Sequence, residues 1–271
     1  MFQPVVPLGG FVGWSFLTRT LDNQKEAYAK SPEVTREVNY FKENISKVQT
    51  AEDLVADRTM LKVALEAFGL GDDIDNKFFI RKVLEDGTLT DDALANRLSD
   101  KRYLKLSQAF GFGDFSVPST VLSDFGEKIT SAFKERQFES AVGDQNEDFR
   151  LAMGISRDLT EIANKDLQED TMWFSVMGNP PLRKVFETAF NLPLAFGTLD
   201  LDKQLETFKE KSQSAFGDSG IKQFASDEKQ EDLTRLFLLR SDVQAVSSNL
   251  SSGQNALSLL QNLPTSGYSL L

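Results

Sequence analysis

The sequence predicts an all-α fold, a multi-helix bundle built from two similar helical repeats joined by long central helices. Three observations carry this expectation. Apolar side chains return every three or four residues along nearly the whole chain, no run of alternating β-branched residues reaches strand length, and one segment is written twice. "LKVALEAFGL" at 61–70 matches "RKVFETAFNL" at 183–192, with Lys62/Lys184, Val63/Val185, Ala67/Ala189, Phe68/Phe190 and Leu70/Leu192 in register. Five identities in the nine positions from Lys62 to Leu70 exceed what a shared helical rhythm produces.

The elements follow in order. The first eighteen residues, "MFQPVVPLGGFVGWSFLT", carry no charged side chain, but Pro4, Pro7, Gly9, Gly10 and Gly13 interrupt them. Arg19 is the first basic residue and no small-residue cleavage site follows, so the expectation is an extended arm folded onto something, with no cleaved signal peptide and no membrane span. Gly9 and Gly13 match the spacing of paired membrane helices, which means little outside a spanning segment. Val34, Val38, Phe41, Ile45 and Val48 then mark a helix entered through Ser31 as N-cap and Pro32 at the first helical position. Thr50 and Asp53 form a capping box that opens a helix through Phe68, stopped by Gly69.

Residues 75–86 form another helix, closed by Asp86-Gly87. "TDDALANRL" and "SDKRYLKLSQAF" each begin with a capping residue and early acids, which suits the helix dipole. Past the "GFGDFSVPS" break, two longer helices carry apolar faces of Leu122, Phe125, Ile129, Ala132 and Phe133, and of Ala152, Ile155, Leu159 and Ile162.

The repeat continues after a five-residue insertion: Asp73/Asp75 meet Asp200/Asp202, Ser99-Asp100 meets Ser226-Asp227, Leu106 meets Leu233 and Phe110 meets Phe237. A unit of short helices leaves one apolar flank open, and a second copy gives that flank something to cover. The chain thus divides into an N-terminal arm and helices (1–50), a first repeat (51–113), connecting long helices (114–171), a second repeat (172–242) and an amphipathic, Ser/Asn-rich C-terminal tail (243–271).

Composition removes whole classes of function. The net charge is −11, the wrong sign for a surface that coats phosphates, and the basic pairs Arg81-Lys82 and Lys101-Arg102 sit beside acids, so no nucleic-acid partner is expected. Cys and His are both absent, which excludes disulfides, thiolate nucleophiles, Cys/His zinc sites, Ser-His-Asp triads and imidazole bases. A chain without thiols also suits passage into, or assembly in, an oxidising space.

The motifs that remain fall short of chemistry. "GDDIDNKFFIRKVLE" places Asp73 and Asp75 as a calcium loop would, but Lys77, Phe78 and Leu84 occupy the next ligand, glycine and bidentate positions. "FGLGDD" and "FGFGD" pair glycines without the strand and third glycine of a phosphate loop, and their acids would repel a phosphate. Arg136 and Glu139 read as an ordinary surface pair on a helix. The 41 acids could place two carboxylates together in space, but nothing in their spacing selects a pair. No catalytic residue, metal ligand or cofactor is expected.

The two ends hold the candidate contact residues. From Gln244 onward the side chains are uncharged and rich in Ser, Asn and Gln, and Val243, Val246, Leu250, Leu257 and Leu260 run through them at helical spacing, with a gap at Gly253. Trp14, Leu17, Leu21 and Tyr28 make a similar stripe at the front. Both stripes either dock on the chain's own core or meet a protein partner, including another copy, by helix packing.

"ALANRLSDKRYLKLSQAFGFG" (93–113), "FKERQFESAVGDQN" (133–146) and "LRKVFETAFNLPLAFGTLDLDKQ" (182–204), together with "GWSFLTRTLDNQKEAYAKSPEV", resemble the alphaproteobacterial family catalogued as domain of unknown function 1217. The resemblance covers most of the chain and thins after about residue 242. It implies an all-helical protein whose genes often lie among flagellar genes, and it supplies no catalytic residue. The expectation is therefore a non-enzymatic protein associated with the bacterial flagellum, acting through helix-mediated contacts in assembly or export, with flagellar components or its own copies as partners. It would be cytoplasmic or exported through the flagellar apparatus. The alternatives are a soluble cytoplasmic adaptor unrelated to motility, and a carboxylate-dependent hydrolase, which needs two acids in a concave pocket with one pKa raised.

Overall fold

A computed structural model describes residues 2–261, those from 247 to 261 as backbone alone. Among the described residues there are thirteen α-helices and no strand. The all-α expectation holds, and one contiguous apolar core runs from Leu17 to Leu238.

Helix α1 (Gly10–Ala29) begins earlier than expected, leaving only residues 2–9 as an arm. The glycines permit this instead of preventing it. The arm turns back across the helix at Gly13, where a Cβ would fall on the Leu8 carbonyl oxygen and lie 3.1 Å from the Phe149 ring. Gln24 then clasps the arm: its Oε1 accepts from Val5 N at 2.6 Å, and Gln145 Nε2 donates to Pro4 O at 2.7 Å.

Helix α2 (Pro32–Asn44) starts at Ser31-Pro32 as read from sequence. The single helix expected from Thr50 to Phe68 is two, α3 (Ala51–Ala56) and α4 (Arg58–Ala67). Asp57 breaks them. Its backbone is extended and its carboxylate accepts from Thr59 N and Met60 N, so it caps α4 rather than continuing α3. Helices α5 (Lys77–Asp86), α6 (Leu94–Arg97) and α7 (Arg102–Phe110) complete the first group.

The long central helices α8 (Phe125–Gly143) and α9 (Glu147–Ala163) pack as an antiparallel hairpin. Leu122, read as part of the α8 face, precedes that helix and is exposed. The second group comprises α10 (Glu169–Met177), α11 (Pro180–Ala189), α12 (Leu201–Phe216) and α13 (Asp227–Gln261). Trp173, Phe186, Phe208 and Phe224 fill its centre, with ring centroids 5.3–5.6 Å apart in the closest pairs.

The two similar stretches share local geometry residue for residue. Asp57 and Asn179, 122 residues apart, cap α4 and α11 with side-chain oxygens. At the other end Gly69 and Asn191, again 122 apart, take left-handed φ of 72° and 52°. Leu70 N and Leu192 N then bond back to Leu65 O and Glu187 O, each at 2.9 Å, closing the same C-terminal motif. The stretches do not cover each other flank to flank, however. Helix α4 packs chiefly on α8 and α2, and α11 on α9 and α13. The central hairpin lies between them, because α8 and α9 bury enough apolar surface to give each group its own seat.

Candidate interaction surface and a buried charge cluster

The front stripe is built from the residues of α1 that face the core. Leu17 and Tyr28 are fully buried, so neither can meet a partner in the folded chain. Tyr28 Oη bonds to Gln137 Oε1 at 3.1 Å, its ring lies edge-on to Phe138, and burial with nearby carboxylates pushes the phenol up to about 12. Trp14 and Leu21 are half-buried. They line a cleft of about 410 Å³ between α1, α9 and α13, in which the Trp14 ring stands edge-on to Phe149 at 5.8 Å. Two of the four predicted residues are thus spent on the chain's own core.

The back stripe behaves differently. Helix α13 begins as a core element: Leu233, Phe237 and Leu238 are buried and pack toward α9 and α11. Further along, Arg235 stacks over the Phe11 ring at 5.0 Å, Ser241 bonds to Asp148, and Gln244 Nε2 reaches Asn191 Oδ1 at 3.4 Å. On the outward side Val243 (58% exposed) and Val246 (59%) line up with Leu239 (50%) one turn earlier. Leu239 was not part of the sequence expectation, because it precedes the uncharged tail that drew attention to the others. Leu250, Leu257 and Leu260 lie outside the residues whose side chains are described.

A second feature escaped the sequence reading altogether. Arg136 and Glu139 are no surface pair: Glu139 is 4% exposed and belongs to a charge cluster buried between α8 and α9. Arg157 donates to Glu139 Oε1 and, at 2.9 Å, to Asp158 Oδ1. Asp158, 3% exposed, also accepts from Asn179 Nδ2 at 2.8 Å, which ties the cluster to the start of α11. Burial works to raise the Asp158 carboxyl, but the guanidiniums of Arg157 and Arg136 outweigh it and hold it below the usual range. The available signal was Asp158 itself, which falls on the apolar stripe of Ile155, Leu159 and Ile162.

Beside this cluster, a cavity of about 230 Å³ opens where the "FGLGDD" loop meets α8 and α9. Glu66, Asp72, Glu139, Arg102, Arg136 and Arg150 all reach it. Burial, reinforced by Glu37 and Asp72 against the pull of Lys62, pushes Glu66 up to about 7. The calcium-like loop is otherwise engaged: Asp73 accepts from Tyr103 Oη at 2.5 Å and Asp75 pairs with Arg58 at 2.9 Å. Among the described residues no group of three acids is arranged to hold a metal ion, and no helix is long and apolar enough to cross a membrane.

The family model described as "Protein of unknown function (DUF1217)" matches residues 67–229. The crystal structure of protein AGR_C_984 from Agrobacterium tumefaciens is similar to this chain, with a TM-score of 0.71 and 26% sequence identity over 90% of this chain and 99% of that one. No curated protein matches. The matched region runs from the end of α4 into α13 and takes in both central helices and the whole charge cluster, and the chain belongs to the DUF1217 family.

Proposed function

We propose that this is a non-enzymatic helical protein of the bacterial flagellum that works through protein contacts during assembly or export, and that α13 is its contact element. The observation carrying this reading is the change of character along α13. One face of its first turns is buried in the core through Leu233, Phe237 and Leu238, whereas Leu239, Val243 and Val246 present apolar surface outward. The sequence continues the stripe through Leu250, Leu257 and Leu260 with no charged side chain to oppose packing. The flagellar assignment rests on the family resemblance, and the absence of Cys suits an exported chain.

The test is a crosslinking pull-down from motile cells with the full chain and with a chain lacking 244–271. The full chain should recover flagellar components and the truncated chain should not. Equal recovery by both would remove α13 from the proposal. A soluble adaptor unrelated to motility is separated by fractionation, since its distribution would not change when flagellar export is blocked.

The hydrolase alternative has one supporting observation, the raised Glu66 carboxyl in a cavity shared with Asp72 and Glu139. Against it, Glu139 is already bonded to Arg157 and faces Arg136, which leaves it poorly placed to act as a base.

A further inference from the structure

We propose that the cavity where α4, α7, α8 and α9 meet binds the carboxylate group of a small organic acid, with Arg136 as its principal partner and Arg102 and Arg150 at its sides. This site is separate from the α13 surface, and neither reading depends on the other.

The argument starts from hydrogen-bonding capacity. The Arg136 side chain is 21% exposed, and among the described residues the carboxylates facing it are Glu139 and Asp158, each 3.6 Å away and beyond hydrogen-bond reach. Both acids are engaged more closely by Arg157. Arg136 therefore brings a fork of N–H donors to the cavity with no protein acceptor at hydrogen-bond distance, held there only by two longer ion pairs. Burial and the like charge of Arg157 both push its pKa down, yet a guanidinium stays protonated.

The surroundings favour an incoming anion of a particular kind. Nη1 of Arg102 and Nη1 of Arg136 lie 3.5 and 3.7 Å from the point where a Cβ on Gly69 would stand, so the glycine leaves the approach to both forks open. Arg102 is oriented by Asp100 at 2.7 Å and by the Gly69 carbonyl, and Arg150 by Glu147. Asp72 and Glu139 on the wall oppose a doubly charged anion. A carboxylate carries one charge and offers two coplanar oxygens, which match the guanidinium fork. The volume of about 230 Å³ is below that of an ordinary drug-sized site and selects a small molecule.

Thermal unfolding of the full chain at pH 6.5, at constant ionic strength, tests this with acetate, lactate and succinate against chloride. Acetate and lactate, each with one charge, should raise Tm in a saturable way, the doubly charged succinate less so, and Arg136→Gln should abolish the acetate and lactate response. No rise above chloride, an equal rise in the variant, or a larger rise with succinate than with acetate and lactate would overturn the assignment. If Arg136→Gln does not fold, Arg150→Gln at the rim serves in its place: it should weaken the apparent lactate affinity several-fold, and an unchanged affinity counts against the site.

Discussion

Asn179 holds Asp158 from the N-cap of a different helix: its Nδ2 donates to the buried carboxylate at 2.8 Å while its Oδ1 accepts from Leu182 N at 3.3 Å. One side chain thus caps α11 and fixes the charge cluster between α8 and α9. Asn179→Ala should cost about 2 kcal/mol, combining a lost cap with a lost bond to a charged group. The informative comparison is Asn179→Asp, which keeps capping capacity but sets a second carboxylate against Asp158. Chemical denaturation should show it at least as destabilised as the alanine variant, while Asp57→Asn at the matching position of α4 should cost little.

Glu66 makes stability fall with rising pH. Its carboxyl is near 4.5 when unfolded and about 7 in the folded chain, so between these values the folded state keeps a proton the unfolded state has shed. The benefit is complete below about 4.5 and is lost as pH rises through about 7. Glu66→Gln should match the parent near pH 4.5 and exceed it at pH 8 by on the order of 2 kcal/mol, flattening the profile measured by denaturation across that range.

Gly13 and Gly217 offer a contrast between two glycines with different reasons to be there. A methyl at Gly13 meets the Leu8 carbonyl and the Phe149 ring, so Gly13→Ala should release the arm and expose residues 2–9 to protease. Gly217 has a φ of 85° with open space around it, so Gly217→Ala should cost about 1 kcal/mol from backbone strain alone, with the arm unaffected.

Charges placed on the outer side of α13 should separate fold from association. Leu239→Lys and Val246→Glu change exposed positions and should each move stability by less than about 0.5 kcal/mol. Together they should abolish partner recovery in the pull-down. A double variant that recovers partners normally would argue against this face.

The helices were legible wherever one apolar face kept its period, as in α2, α8 and α9. Asp57 was not, since Leu54, Val55, Met60 and Leu61 sustain a helical rhythm straight across it. A cap within such a rhythm differs from a surface acid only in its backbone angles. The same limit applied to charge. Glu139 and Asp158 look like solvated acids on their own helices, and their burial arises only when α8 and α9 close on each other with Arg157 between them. The front stripe was read correctly as a stripe, but periodicity cannot say whether it faces inward or outward. Tyr28 turned in where α8 offered Phe138 to pack against, and Trp14 stands against Phe149 of α9.

Helix α13 joins the buried seats of Leu233 and Phe237 to the exposed Leu239, Val243 and Val246 within one continuous helix. Force applied at the far end therefore has a mechanical route into the Phe186 and Phe224 neighbourhood. A companion that grips that end only in the native arrangement would stabilise the fold by an amount set by its concentration relative to its Kd. Pulling the helix away would instead open the aromatic nest, so docking and unfolding are two directions of travel on one lever.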